Sequence, residues 1–238
     1  DNDKFILKGF DNKKGYIVEI EKSKNKTISI SLNNNKTNTS KLVKEFPCTP
    51  IHNNTFSFAD ASPDFRRKLV DRSIFIAEDN FSKVWFSFYR SLRQRNFLLK
   101  NNRISDIYNW NTKLSDDAEK LTKYRKDFFE KTLNEFYLLI NLLKQEDVFD
   151  FFNFIKIEFS QGWAPEKSYL DVLNENKDID IKRRLTTSGP HKSDIKFFIN
   201  DIDARQILSR GEQKFFSIIW SCAQHEVLKK HYEIDATL

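Results

Sequence analysis

The stretch "QILSRGEQKFF", Gln206 to Phe216, opens a long apolar run with a Ser, a Gly, a Glu and a Gln. Ser209 and Glu212 stand at capping-box spacing, in which the Ser hydroxyl accepts from the backbone of Glu212 and the carboxylate reaches back. That accounts for two residues. It leaves Gly211 unexplained, in the first turn of the predicted helix, where Gly costs about 1 kcal/mol relative to Ala. A Gly there lets atoms of another molecule approach the backbone closely. Ser209 and Gly211 would then offer N–H groups and a hydroxyl to an anion at the positive end of the helix. A cap and a phosphate compete for the same atoms, so both readings stand at this point.

Composition sets the frame. The chain has 238 residues, 39% of them hydrophobic, enough for one large domain or two small ones with real cores. Forty Lys and Arg against 34 Asp and Glu give a net charge of +6, which permits a polyanionic partner without requiring one. No apolar run approaches the roughly 18 residues of a membrane span. Cys48 and Cys222 have no metal-ligand spacing, and a reducing, cytoplasmic setting is the expectation. The sequence contains no Met, which suggests a fragment. Its 23 Phe and its Asn- and Lys-rich loops, such as "NNNKTNTSK" from Asn33 to Lys41, lower the weight of any single Phe or Lys.

Along the chain, "KFILKGF", "GYIVEIE" and "KTISISL" alternate and read as an antiparallel meander. A boundary is expected near residues 51–60. From Ser62, a cap followed by Pro63, the period becomes helical. One helix runs through "DFRRKLVDRSIFI", and another through "NFSKVWFSFYRSLRQRNFLLK" with Val84, Trp85, Phe88, Leu92 and Leu99 on one side. Asp116 and Glu119 read as a further helix start, and Leu121, Tyr124, Phe128 and Phe136 as a packing stripe beyond it. A strand is expected from Phe151 to Phe159, a helix from Ser168 to Lys177, a turn at Gly189-Pro190 and a strand from Asp194 to Ile199. A final helix from Ser209 should bury Phe215, Ile218, Ile219, Cys222 and Leu228. Three parts result: a β-rich part over 1–60, a helical arm over 61–150, and a return segment over 151–238.

The context of the opening stretch is specific. "LSRGEQK" looks like the signature motif of ABC-type ATPases, and "GPHKSDIKFFIN…DARQILSRGEQKFF" resembles the RecF family of recombinational repair ATPases. Upstream, "SPDFRRKLVDRSIF" is similar to that family's P-x-x-R-R-x-x-L-D helix, and "FYRSLRQRNFLL" to its Y-x-x-x-L-x-Q-R-N-x-L helix. The resemblance implies an α+β fold: part of an ABC/SMC-like ATPase head, β-meander plus signature helix, with an inserted helical arm. It implies a dimer in which each ATP, with Mg2+, lies between the P-loop of one subunit and the signature of the other. Carried over, Ser209, Gly211 and Gln213 would contact the γ-phosphate in trans, Arg210 would add charge, and Glu212 belongs to the same motif. Gly189, His191 and Lys192 would be a nucleotide-side loop; their plain reading is a β-turn before a strand. The resemblance further implies binding to single- and double-stranded DNA. It also implies work with RecR and RecO to load the RecA recombinase at gaps in repair and the SOS response, with hydrolysis as a slow switch.

The five glycines are Gly9, Gly15, Gly162, Gly189 and Gly211; no two stand five apart and none precedes Lys then Ser or Thr, so G-x-x-x-x-G-K-[ST] is absent. The acidic Walker B strand would follow the signature helix, where the sequence ends. The expectation is a chain that supplies the trans-acting half of an ATP site, binds no cofactor or metal alone, and is inactive by itself. Around "PIHNNTFSFADASPDF", Asn53-Asn54 and Ala61 depart from the family pattern at the loop that would sense the γ-phosphate, so His52 and Asn53 are not assigned that role. DNA-binding candidates are Arg66, Arg67, Lys68, Arg90, Arg93 and Arg95, each weighed against a solvated or salt-bridged surface. Two rivals remain: a non-enzymatic nucleic-acid or protein-binding module, and another SMC-like head, against which the shortness of the arm counts.

Overall fold

The computed structural model of the chain describes residues 4–12, 15–23, 28–49, 58–144 and 154–237. The expected boundary residues 51–57, with His52 and Asn53, lie outside them, as do the first residues of the strand expected from Phe151. The chain divides into two compact units, residues 1–48 with Thr237, and residues 49–236 with Leu238.

In the first unit the alternating runs form the expected meander. Strands β1 (Lys4–Asp11), β2 (Tyr16–Ser23), β3 (Ile28–Leu32) and β4 (Asn35–Thr37) pair in sequence order. Asn33 and Asn34 take φ of +49° and +63° and turn β3 into β4, a conformation Asn tolerates better than most residues. The polar loop expected at 33–41 is therefore in part a strand. It leads into a short helix, α1 (Thr39–Glu45), capped by the Asn38 side chain.

The second unit holds the helices and a second sheet. Helix α2 (Pro63–Ala77) begins where expected, with Ser62 as cap, and α3 (Phe81–Lys100) follows. The start expected at Asp116 is overturned: α4 runs unbroken from Ile107 to Lys144, 38 residues. Its apolar face already begins before Asp116, at Leu114 and Ile107, both buried, so the helix has no reason to restart. Strand β5 (Ile155–Ser160) is followed by α5 (Tyr169–Glu175), the helix expected from Ser168, and by α6 (Lys177–Arg183), a short helix that was not expected. Strands β6 (Asp194–Ile199) and β7 (Ile202–Asp203) complete an antiparallel sheet ordered β5-β6-β7. A one-turn helix, α7 (Ala204–Ile207), leads into α8 (Arg210–Tyr232).

The arm and the return segment, expected as separate parts, share one core. Helix α4 brings Phe136 against Phe216 and Trp220 of α8, with ring centroids 5.3 and 5.6 Å apart, and Phe197 of β6 lies 4.8 Å from Phe216. The inner face of α8 matches the expected one in part. Ile219 and Leu228 are buried as expected, but Phe215, Ile218 and Cys222 are only half-buried, and Phe216, Trp220, Ala223 and Val227 take the inner positions instead. Trp220, flanked by hydrophilic-looking Ser217 and Ser221, makes the true face hard to read; both serines bury their hydroxyls in bonds to carbonyls one turn earlier.

Two of the scarce glycines have steric reasons. At Gly189, φ is +130° and an added Cβ would collide with the Tyr169 hydroxyl; at Gly162, φ is +95° and a Cβ would strike the Gly189 carbonyl. Gly9 has nothing within 4 Å and an ordinary φ. Gly189→Ala should therefore cost at least about 2 kcal/mol in urea denaturation, whereas Gly9→Ala stays within about 0.5 kcal/mol. Equal effects of the two changes would contradict the packing described.

Candidate functional site

The start of α8 is capped from both sides. Glu212 N–H donates to Ser209 Oγ at 3.3 Å, and Ser209 N–H donates to Glu212 Oε2 at 2.7 Å. The box consumes the Ser209 hydroxyl and two backbone donors. The N–H groups of Arg210 and Gly211 have no partner among the described residues, as expected in a first helical turn. Ser209, Arg210 and Gly211 are exposed. A Cβ added at Gly211 would meet only Ser209 Oγ, at 4.0 Å. Nothing inside the chain requires glycine there.

Gln213 points elsewhere. Its side-chain amide donates to the Leu208 carbonyl at 2.9 Å, bracing the turn between α7 and α8. As folded here, it supports the backbone beneath Ser209 and has no donor left directed at the open face near Gly211. The α7 turn is held in turn by Asp203, whose carboxylate accepts from Arg205 N–H at 2.9 Å and from its guanidinium at 2.7 Å. That pairing holds the Asp203 carboxyl below the usual carboxylate range.

The second candidate, Gly189 to Lys192, is a 3-10 turn locked by every neighbouring element. Arg125 of α4 donates to the Pro190 carbonyl at 2.6 Å and to Ser193 Oγ at 3.0 Å, while its other nitrogens make a two-pronged pair with Asp71 of α2. Tyr169 donates to the Ser188 carbonyl at 2.5 Å, and Gly189 N–H to the Gly162 carbonyl at 3.0 Å. His191 sets Nε2 at 3.0 Å from the Thr186 carbonyl, so that nitrogen carries the proton. Its Nδ1 is buried without a hydrogen-bond partner among the described residues, and the ring lies 6.3 Å from that of Phe88. Burial pushes the imidazole down to about 4. Only Lys192 of this element is exposed.

The basic candidates separate sharply. Arg66 is 5% exposed, paired two-pronged with Asp194 at 2.8 Å and donating to the carbonyls of Phe58, Ala59 and Ala61. Arg95 is fully buried against Asp180, Asn111 and Thr186. Neither presents a surface to a phosphate, and both are corrected to packing residues. Arg67 is mostly covered and donates to the Ser193 carbonyl at 2.7 Å. Lys68 is exposed and pairs with Asp64 at 2.7 Å. Arg90 and Arg93 are exposed, with no ion pair among the described residues. Sequence reasoning missed Arg125 and Gly162. Arg125 lay in plain sight between Leu121 and Phe128, a cation on the buried stripe of α4. Among the described residues no group of three or more His, Cys, Asp or Glu side chains could hold a metal ion, and no helix is long and apolar enough to cross a membrane.

No family model matches the chain. Curated relatives do: it is 30% identical over 197 residues to the DNA replication and repair protein RecF of Nitrosococcus oceani, a match covering 82% of this chain and 53% of that protein. It is 32% identical over 196 residues to the protein of the same name from Hahella chejuensis, covering 80% and 52%. The chain thus spans about half the length of the curated relatives it matches. A solved structure of the recombination mediator protein RecF-ATP in the RecFOR pathway superposes on 99% of this chain and 66% of its own, with a TM-score of 0.80 at 18% identity. A second, RecF-ATPrS, gives a TM-score of 0.79. The fold is the mixed α and β fold of the RecF structures, and the chain is a relative of the RecF proteins over four fifths of its length.

Burial of neutral His191 makes a pH prediction. A folded-state pKa near 4 against about 6.5 unfolded means the unfolded chain binds the extra proton between those values. The stability from keeping this ring neutral is fully present above pH 6.5 and is lost as pH falls towards 4. The loss amounts to up to about 3 kcal/mol. Urea denaturation of the wild type and of His191→Gln at pH 7 and pH 5 should show the wild type losing more. Parallel losses would show that His191 is not buried neutral.

Proposed function

We propose, from this kinship, that the chain is part of a DNA replication and recombinational repair protein of the RecF kind, and that the start of α8 acts on an ATP held by a second copy. In this reading the whole protein binds single- and double-stranded DNA as an ATP-dependent dimer. With RecR and RecO it helps to load the RecA recombinase at gaps during the SOS response. ATP and Mg2+ belong to the dimer, and hydrolysis resets it.

The observation that carries the reading is Gly211: exposed, helical, and with open space where a Cβ would stand. A glycine that costs helix stability and fills no internal need is explained by a ligand approaching from outside. The free N–H groups of Arg210 and Gly211 point along the helix dipole and suit a phosphate oxygen. Ser209 can join them by giving up its 3.3 Å cap bond, a weak one by length. Arg210, exposed beside them, adds a positive charge. Gln213 is assigned a bracing role, because its amide is committed to Leu208. No P-loop occurs in these 238 residues, so the tight grip on the nucleotide is assigned to the protein outside them.

The test is ATP-dependent association of the full-length protein by analytical ultracentrifugation, wild type beside Ser209→Arg. The bulky cation should obstruct the contact from the second copy while leaving ATP binding intact. Dimerisation of the wild type alone is the expected result. If Ser209→Arg dimerises as well as the wild type, the α8 start is only a capped helix, and a binding module without nucleotide chemistry becomes the better reading.

A further inference from the structure

Helix α3 carries five basic residues, Lys83, Arg90, Arg93, Arg95 and Lys100, and no Asp or Glu. Arg95 is spent in the core. The others lie on the opposite face, and that face has an order. Phe86, Arg90, Arg93 and Phe97 follow at steps of four, three and four, the spacing of a single helical stripe. Phe86 is 61% exposed and Phe97 52%, large values for phenylalanines on a helix whose other face buries Phe81, Phe88, Leu92, Leu98 and Leu99. Packing therefore does not explain these two rings.

We infer that this stripe is a docking surface for single-stranded DNA, with Phe86 and Phe97 as base-stacking platforms and Arg90 and Arg93 between them as phosphate contacts. The inference rests on the DNA-repair reading above and deepens it by naming the strand form and the surface. Two exposed rings about 16 Å apart along the helix axis have no use on a duplex, whose base faces are hidden by stacking. On a single strand every base has a free face, and sequence-tolerant stacking beside a basic track is how such strands are held. A helix with four exposed cations and no carboxylate favours a polyanion over a mixed-charge protein surface. The first platform is also preorganised. Phe86 leans edge-on against Trp85 at 5.2 Å, and the Trp85 indole is fixed by donating to Asp71 at 2.9 Å. Ordering it on binding therefore costs little side-chain entropy.

The experiment measures binding of a fluorescein-labelled oligothymidylate, and of a duplex of equal length, to the full-length protein by fluorescence anisotropy across a salt series. Phe86→Ala/Phe97→Ala should lower single-strand affinity about thirtyfold or more and leave duplex affinity within about twofold. Arg90→Gln/Arg93→Gln should reduce the single-strand salt slope by about 1.4, for two phosphates released. All four side chains are on the surface, so unchanged thermal unfolding is expected and checks that the variants fold. If the phenylalanine variant binds the single strand like the wild type, or loses single strand and duplex equally, the stacking surface is refuted while the repair reading stands. If the wild type binds neither DNA, both fall.

Discussion

The larger unit depends on three buried arginines. Arg66, Arg95 and Arg125 come from α2, α3 and α4, and each meets its own aspartate at 2.7 or 2.8 Å: Asp194, Asp180 and Asp71. Taking these charges out of water costs several kcal/mol per ion, which only close, multiply bonded geometry offsets. Arg66 and Arg125 meet their aspartates with two nitrogens each, Arg95 reaches Asp180 with one and adds Asn111 and Thr186, and their targets are shared. Through carbonyls and side chains, the three guanidiniums fasten Thr186, Pro190, Ser193 and Asp194, the stretch that enters β6. Because β6 lines the aromatic core against α8, the same contacts set where the open end of α8 is presented.

This explains why the arm and the return segment fold as one unit. An apolar stripe alone would let α4 slide or rotate against α8, since greasy contacts are non-directional. Two-pronged arginine pairs have a single satisfactory arrangement. The turn at Gly189-Pro190 is the part most tightly determined. Tyr169 sits above it, Gly162 beneath, and His191 is buried as a neutral ring. An element so enclosed is poorly placed to touch a nucleotide by its own side chains, apart from exposed Lys192.

The legibility of the sequence followed the range of the interactions. Local ones were readable: the Ser62 cap with Pro63 and the Ser209–Glu212 box depend on residues within four positions of each other, and the meander on alternation within runs that pair with their neighbours in sequence. Long-range ones were not. Arg66 and Arg95 stood as DNA candidates beside a salt-bridged alternative because their clusters match the family's motifs, and the aspartates that decide the matter lie 128 and 85 positions away. Asp116 imitated a helix cap because the D-x-x-E pattern carries no information about the apolar face already running through Leu114. In α8 the serines flanking Trp220 disguised the buried face. The proposed site stood out through a single mismatch, a glycine where a helix would prefer alanine.

Gly211 therefore offers the most direct measurement. In Gly211→Ala the methyl group enters open space, so the unbound protein should be as stable as the wild type or up to about 1 kcal/mol more stable. ATP-dependent association of the full-length variant should nevertheless be lost, because the methyl group occupies the approach to the α8 backbone. A variant that is more stable and still associates with ATP as the wild type does would show that the glycine serves no ligand. The start of α8 would then be a capped helix and nothing more.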